Sequence, residues 1–335
     1  MLEKLHKFVM NRVLKGPVQM LLGVFFSVTF GWIAINDINW SSVWNHTLNL
    51  PILLGFLALL LFLGASIIRA FRWQTLFIQD RISVRRLFLI QNIGLGVGSL
   101  TPVRLLGEVT QFALLRWRYK IGGGTAIVTL GLERLFDLVV TVTLLLVGLA
   151  LIPNLGDFVP YGLGLLLVAI ISIFMVKIFS WASSKSFFNK FPVIASSAAS
   201  LADLAGAKGN LVSTFVLTFV YWILIGIASW VIALGMDLGI SPFMATVAII
   251  STIYVATSIP SLPAALGTFE FAIVYMLKLF GVQQDVAFSY ALIMHVFLFL
   301  PPILITLGSL PLIGTRGIKG IKQPEWNDSK TRNYD

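Results

Sequence analysis

The run Gly94-Leu-Gly-Val-Gly-Ser-Leu-Thr-Pro-Val-Arg-Leu-Leu-Gly-Glu108, read on to Asp137, decides the class of fold. An apolar segment breaks at Thr101-Pro102, and a second short segment leads to a basic turn (Arg116, Arg118, Lys120) and Gly122-Gly123-Gly124. A long apolar stretch then carries Glu133, Arg134 and Asp137. In such surroundings Arg104, Glu108, Glu133, Arg134 and Asp137 would lie at membrane depth. Each costs about 2.5–3.5 kcal/mol at a helix centre, and five left unpaired would cost on the order of 15 kcal/mol, comparable to a typical protein's whole stability. They must pair with one another or line a wet or ligand-filled cavity. That cavity is the expected functional site.

Composition agrees. The 335 residues are 58% hydrophobic and 11% charged, against about 25% charged in soluble domains. With a mean hydropathy of +0.93, the chain reads as an all-α polytopic membrane protein. The absence of cysteine excludes disulfides, thiolate metal sites and cysteine nucleophiles. His6, His46 and His295 lie too far apart in sequence to suggest a metal cluster. The net charge of +10 fits basic loops facing anionic lipid better than nucleic acid. No cleavable signal peptide is expected, because the first apolar run starts after Gly16 and is too long for one.

Working outward, apolar runs of bridging length occupy Pro17–Asn36, Pro51–Ala70, Thr125–Ile152, Tyr161–Trp181, Leu211–Leu234 and Val286–Leu310, each near the ~20 residues that a bilayer core demands. Leu87–Leu100 and Leu105–Trp117 are too short to span comfortably and meet at Pro102, so they read as a re-entrant or broken hairpin. Pro242–Ile259 and the short helix ending at Phe280 repeat the arrangement around Pro263 and Gly267. The chain therefore reads as one integral membrane domain with two repeats, about 17–152 and 160–312, followed by a polar tail, 313–335. Each repeat has three spans and one hairpin, giving about six full spans and two re-entrant hairpins in all. An odd number of crossings per half would invert the second repeat, a transporter signature. Trp40 and Trp44 suit the membrane interface. Residues 182–209 read as a linker with an interfacial helix.

Charge supports an orientation. With the amino terminus in the cytoplasm, every Lys and Arg except Arg104, Arg134 and Lys278 falls on the cytoplasmic side. The opposite loops hold Asp37, Asp157, Asp237 and Asp285. Both termini are thus expected inside a cytoplasmic, inner membrane.

Candidate residues follow. Thr101 and Pro102 read as a helix cap and first turn, offering free N–H groups and a positive dipole end. Ser258, Ser261 and Thr268 stand in the corresponding place of the second hairpin. Such ends suit phosphate. Arg104 would add a charge-assisted contact, or else pair with Glu108 four residues on. Glu133 and Asp137 share a helix face and repel. The plain reading places a cation between them, Arg104 or Arg134; the sharper one gives one carboxyl an exchangeable proton. Glu270 satisfies the helix start after Gly267, or acts as the symmetry partner of Glu108. Arg69 and Arg72 read as cytoplasmic anchors, or as gatherers of lipid head groups. Lone His295 reads as a core histidine. Gly94-x-Gly96-x-Gly98 lacks the strand and acid of a dinucleotide site and reads as close helix packing. With no nucleotide or metal motif evident, no cofactor is expected.

Arg69-x-x-Arg72-Trp73, Leu100-Thr101-Pro102-x-Arg104-x-x-Gly107-Glu108, Glu133-Arg134-x-x-Asp137 and Pro263…Leu266-Gly267…Glu270 together resemble the lysylphosphatidylglycerol synthase transmembrane region, or flippase-like domain, family. The similarity extends over about residues 15–315. It implies movement of a lipid; with no aminoacyl-transferase domain expected after residue 315, it argues against lipid aminoacylation. The expectation is a lipid flippase for an anionic phospholipid or polyprenyl-phosphate-linked lipid, not an enzyme. A glycosyltransferase acting on a lipid-linked substrate and an accessory subunit of a lipid-modifying synthase are the rivals. Expected partners are a membrane lipid with an anionic head group and either a second copy or a lipid-synthesising enzyme, but no nucleic acid.

Overall fold

The computed structural model describes residues 16–101, 105–151, 157, 159–183 and 192–320. Twelve α-helices and no strand occur among them. They are α1 (Gly16–Ile35), α2 (Trp40–Leu48), α3 (Ile52–Gln74), α4 (Val84–Leu100), α5 (Leu105–Ala113), α6 (Gly123–Leu151), α7 (Val159–Ser183), α8 (Pro192–Gly206), α9 (Lys208–Gly235), α10 (Pro242–Ser258), α11 (Thr268–Leu279) and α12 (Gln284–Gly320). A π-helical turn, Leu114–Arg118, extends α5, and a 3-10 turn, Pro263–Ala265, precedes α11.

All six stretches expected to form long helices are helical. Among the described residues, α3, α9 and the 284–309 part of α12 are long and apolar enough to cross a bilayer; α1 and α2, bent by 88°, together form a fourth candidate. Leu21, Ile52 and Leu53 are 69%, 90% and 76% exposed. Side chains this apolar at a surface belong against lipid.

The Trp40 segment is itself a helix. The Asn39 side chain accepts from the N–H groups of Ser41 and Ser42 at 3.0 and 3.3 Å and starts α2. The 182–209 interval is more than an interfacial linker: α8 is docked against α6. The Thr125 and Ser200 hydroxyls lie 2.9 Å apart, and Ser197 and Leu204, seven residues apart on one face, are buried.

The centre is the α3–α9 pair, which packs more extensively than any other. Ala58 and Ala65 on α3 and Ala228 and Ala233 on α9 are buried there, and small side chains let membrane helices approach closely. The α4 helix lies between α5 and α12. A Cβ on Gly107 would strike the Gly94 carbonyl oxygen; one on Gly96 would strike the Thr306 hydroxyl and stand 2.6 Å from the Pro302 oxygen. The glycine run thus serves close packing, as expected. Gly96→Ala is expected to destabilise by about 1–3 kcal/mol through overpacking, whereas Gly64→Ala, which meets nothing within 4 Å, should be neutral or slightly stabilising. Thermal unfolding of the two variants in detergent distinguishes them.

The second break, between α10 and α11, is held against α1. Leu262 N–H donates to the Ser27 hydroxyl at 2.8 Å. Ala264, Ala265 and Gly267 have φ of 55°, 60° and 83°, and Thr268 closes the turn by donating to the Ala265 oxygen at 2.9 Å. Two alanines with positive φ are unusual, and surrounding packing must hold them there.

Candidate functional site

The charged residues separate into three groups. The first is buried between α3, α6 and α9. A helix advances about 100° per residue, so Glu133 and Asp137 share one face of α6, while Arg69 and Arg72 share one face of α3. Arg69 Nε donates to Glu133 Oε1 at 2.7 Å, and Arg72 Nη2 donates to the same oxygen at 2.7 Å. Arg72 also bonds Asp137, with Nη1 to Oδ1 and Nη2 to Oδ2 at 3.3 Å. The Trp222 indole N–H donates to Asp137 Oδ1 at 3.0 Å. Both guanidinium groups lie over the Tyr221 ring, 5.9 and 5.5 Å from its centroid, a cation–π arrangement. Arg72 is fully buried, with Glu133 at 2% and Arg69 at 5% exposure. Two cations therefore balance two carboxylates where four unpaired charges would cost on the order of 10 kcal/mol.

This corrects two expectations. The cation between Glu133 and Asp137 is Arg72, not Arg134. Arg69 and Arg72 are not cytoplasmic anchors: α3 runs on to Gln74, one turn past the expected end, and carries both inside.

In the second group, Arg134 projects from a different side of α6 and pairs with Glu108 of α5 at 3.2 Å, both side chains about half exposed. Glu108 thus has a partner other than Arg104. Pro102 and Arg104 lie outside the described residues. Thr101, expected to cap the following helix, closes the preceding one: its hydroxyl donates to the Val97 oxygen at 2.8 Å.

The third group joins α11 to α12. Gly267 N–H donates to Glu270 Oε2 at 2.7 Å, the expected satisfaction of a helix start. Glu270 Oε1 lies 2.5 Å from His295 Nδ1. His295 is thus no lone core histidine. Nothing in the sequence near it marks a partner 25 residues away.

Beside the first group lies a small cleft of about 80 Å³ between α3, α4, α9 and α12. Its polar wall is Ser66, Arg69, Asn92 and Tyr221; its apolar wall includes Phe62, Ile225, Phe297, Pro301 and Pro302. Gln91 Nε2 donates to the Ser66 carbonyl at 2.5 Å, and Asn92 Nδ2 to the Ser66 hydroxyl at 3.2 Å. Among the described residues, Arg69 Nη2 is buried without a hydrogen-bond partner. An unmade bond to a buried charged group costs free energy, so this wall is chemically unfinished. Sequence reasoning passed over Ser66 and Asn92. The Ser66-x-x-Arg69-x-x-Arg72 spacing, which lines one helix face, was the signal available.

Fold and site together define a multi-pass helical membrane protein built around a buried, charge-balanced arginine–carboxylate centre that opens on a cleft. The chain belongs to the lysylphosphatidylglycerol synthase TM region family, which it matches over residues 20–306. It is similar to a UPF0104 membrane protein of Methanothermobacter thermautotrophicus, at 23% identity over 261 residues, 71% of this chain and 76% of that protein. A UPF0104 membrane protein of Methanocaldococcus jannaschii is 27% identical over 200 residues, 58% of this chain and 83% of that one.

Proposed function

We propose that the protein moves a lipid with an anionic, phosphate-bearing head group across the cytoplasmic membrane, the head group passing through the Arg69 cleft. The observation that carries this reading is the buried, unpartnered Arg69 Nη2 in a wall that also offers Ser66 and Asn92. A phosphate oxygen bonded there would complete the guanidinium's contacts, and charge-assisted bonds to phosphate are strong ones. The apolar wall of Phe62, Phe297 and Pro301 suits the first carbons of an acyl or prenyl chain. Family membership supports lipid as the substrate class. Because the arginines already occupy Glu133 and Asp137, those carboxylates are poorly placed for glycosyl transfer, and transport is the better reading.

The architecture we assign is a pair of inverted repeats, α1–α6 and α7–α12, with α4–α5 and α10–α11 as re-entrant hairpins and both termini cytoplasmic. The packing supports it by reciprocity. The corresponding helices α3 and α9 pack on each other at the centre, α4 of the first hairpin packs on α12, and α10 of the second packs on α6.

Fluorescent phosphatidylglycerol in proteoliposomes tests the function. The wild-type chain is expected to exchange it between leaflets, and Arg69→Gln to slow exchange about 10–100-fold, the equivalent of one charged hydrogen bond. Arg86→Gln, which removes a cation from over the Tyr119 ring, should exchange at the wild-type rate. Equal rates in wild type and a folded Arg69→Gln would overturn the assignment.

A further inference from the structure

The apolar wall of the Arg69 cleft is polar at two points. Pro301 and Pro302 stand side by side on α12, and proline has no N–H to donate. The carbonyls four residues back, those of Phe297 and Leu298, therefore lack their helical hydrogen bonds. All four residues line the cleft, so the face of α12 on which the ladder is interrupted is the face turned to it. Within a membrane, carbonyls freed in this way are ordinarily satisfied by a neighbouring helix, side chain or water.

The amide and hydroxyl donors of α3, α4 and α12 around the cleft are spent elsewhere. Asn92 Nδ2 donates to the Phe88 carbonyl at 2.7 Å and to the Ser66 hydroxyl. Gln91 Nε2 donates to both Ser66 oxygens, and the Ser66 hydroxyl faces Asn92 Oδ1 at 3.5 Å. The Thr306 hydroxyl donates to the Pro302 carbonyl at 2.8 Å. Arg69 Nη2 has no partner, so it reaches neither freed carbonyl. The cleft thus presents a donor and two acceptors that do not meet across it. Its volume of about 80 Å³ has room for on the order of five to eight water-sized groups, a phosphate and the first atoms beyond it.

We infer that the cleft selects a head group carrying a hydrogen-bond donor next to its phosphate, a hydroxyl or an ammonium N–H, and that Pro301 and Pro302 set this selectivity by freeing the Phe297 and Leu298 carbonyls to accept from it. This rests on the reading of Arg69 as the phosphate contact. A phosphate oxygen takes the Arg69 N–H, and the donor beyond it takes a carbonyl. A head group without a donor displaces water from the carbonyls and returns no bond, which loses affinity. One such bond is worth about tenfold.

Native mass spectrometry of the purified protein, given an equimolar mixture of phosphatidylglycerol and phosphatidylmethanol with the same acyl chains, tests the inference. Both lipids carry a single negative charge, but only the glycerol head has hydroxyls to donate. Wild type is expected to retain phosphatidylglycerol over phosphatidylmethanol by about tenfold. Pro301→Ala combined with Pro302→Ala, whose new N–H groups close the helical bonds, should bring the ratio near one. Should the double variant fail to fold, each single variant should give an intermediate ratio. The ratio is read within one sample, so a general loss of binding does not imitate a loss of selectivity. Phosphatidylethanolamine against phosphatidylcholine repeats the comparison for an ammonium with and without N–H. A preference in the first pair assigns a hydroxyl as the donor, and one in the second pair assigns an ammonium. Equal retention within both pairs by wild type, retention of none of the four, or a preference undiminished in the proline variants overturns the inference. Exchange of fluorescent phosphatidylglycerol in proteoliposomes separates it from the transport reading. Exchange without selectivity removes the donor site and leaves transport standing; selective retention without exchange does the reverse.

Discussion

Arg72→Met is expected to destabilise the protein by about 3–5 kcal/mol, the cost of removing one partner from a buried ion pair. Methionine nearly preserves the volume, so the loss is electrostatic. Without Arg72, Asp137 retains the Trp222 N–H, and Glu133 retains Arg69, but one carboxylate charge is left uncompensated in a region closed to water. Arg72→Lys should recover only part of the loss, because an ammonium cannot bridge two carboxylates as a planar guanidinium does. Arg72→Met combined with Asp137→Leu should be more stable than Arg72→Met alone, since an apolar pair can replace a buried ionic one at little cost. Thermal unfolding in detergent, followed by size-exclusion chromatography, measures all three. A folded Arg72→Met with wild-type stability would mean that water reaches the centre.

Gly267→Ala should be nearly as damaging, by about 2–5 kcal/mol, because two penalties add: φ of 83° disfavours any side chain, and a Cβ there would meet the Ser27 carbonyl oxygen of α1. The obstacle is backbone and cannot rotate away. Ala264→Gly, at φ 55° in the same turn, should instead be neutral or slightly stabilising, since glycine takes that conformation freely. The opposite signs at two neighbouring positions, read by the same unfolding measurement, separate backbone strain from general sensitivity of the turn.

What could be read in the sequence and what could not divides along physical lines. Glu133 and Asp137 announced a buried centre because nothing apolar nearby could compensate them and their spacing put them on one face. Their partners were hidden. Arg69 and Arg72 stand at the end of an apolar run, where cations ordinarily mark the membrane surface, and only α3's extra turn to Gln74 brings them inside. Arg134 follows Glu133 directly in sequence, but the helix turns it about 100° from that carboxylate, and it pairs with Glu108. The Gly267…Glu270 helix start was legible because capping is local. The bond from Glu270 to His295 was not, because it depends on how α11 packs on α12. The Gly94–Gly98 packing was legible as a type of contact, though its partner Thr306 lies more than 200 residues away.

Native mass spectrometry of the purified protein tests the Arg69 site most directly. Wild type is expected to retain a phosphate-bearing lipid through gentle detergent extraction, and Arg69→Gln, still folded, to lose it while keeping zwitterionic annular lipid. The same lipid retained at equal occupancy by both proteins would contradict a head-group site at Arg69.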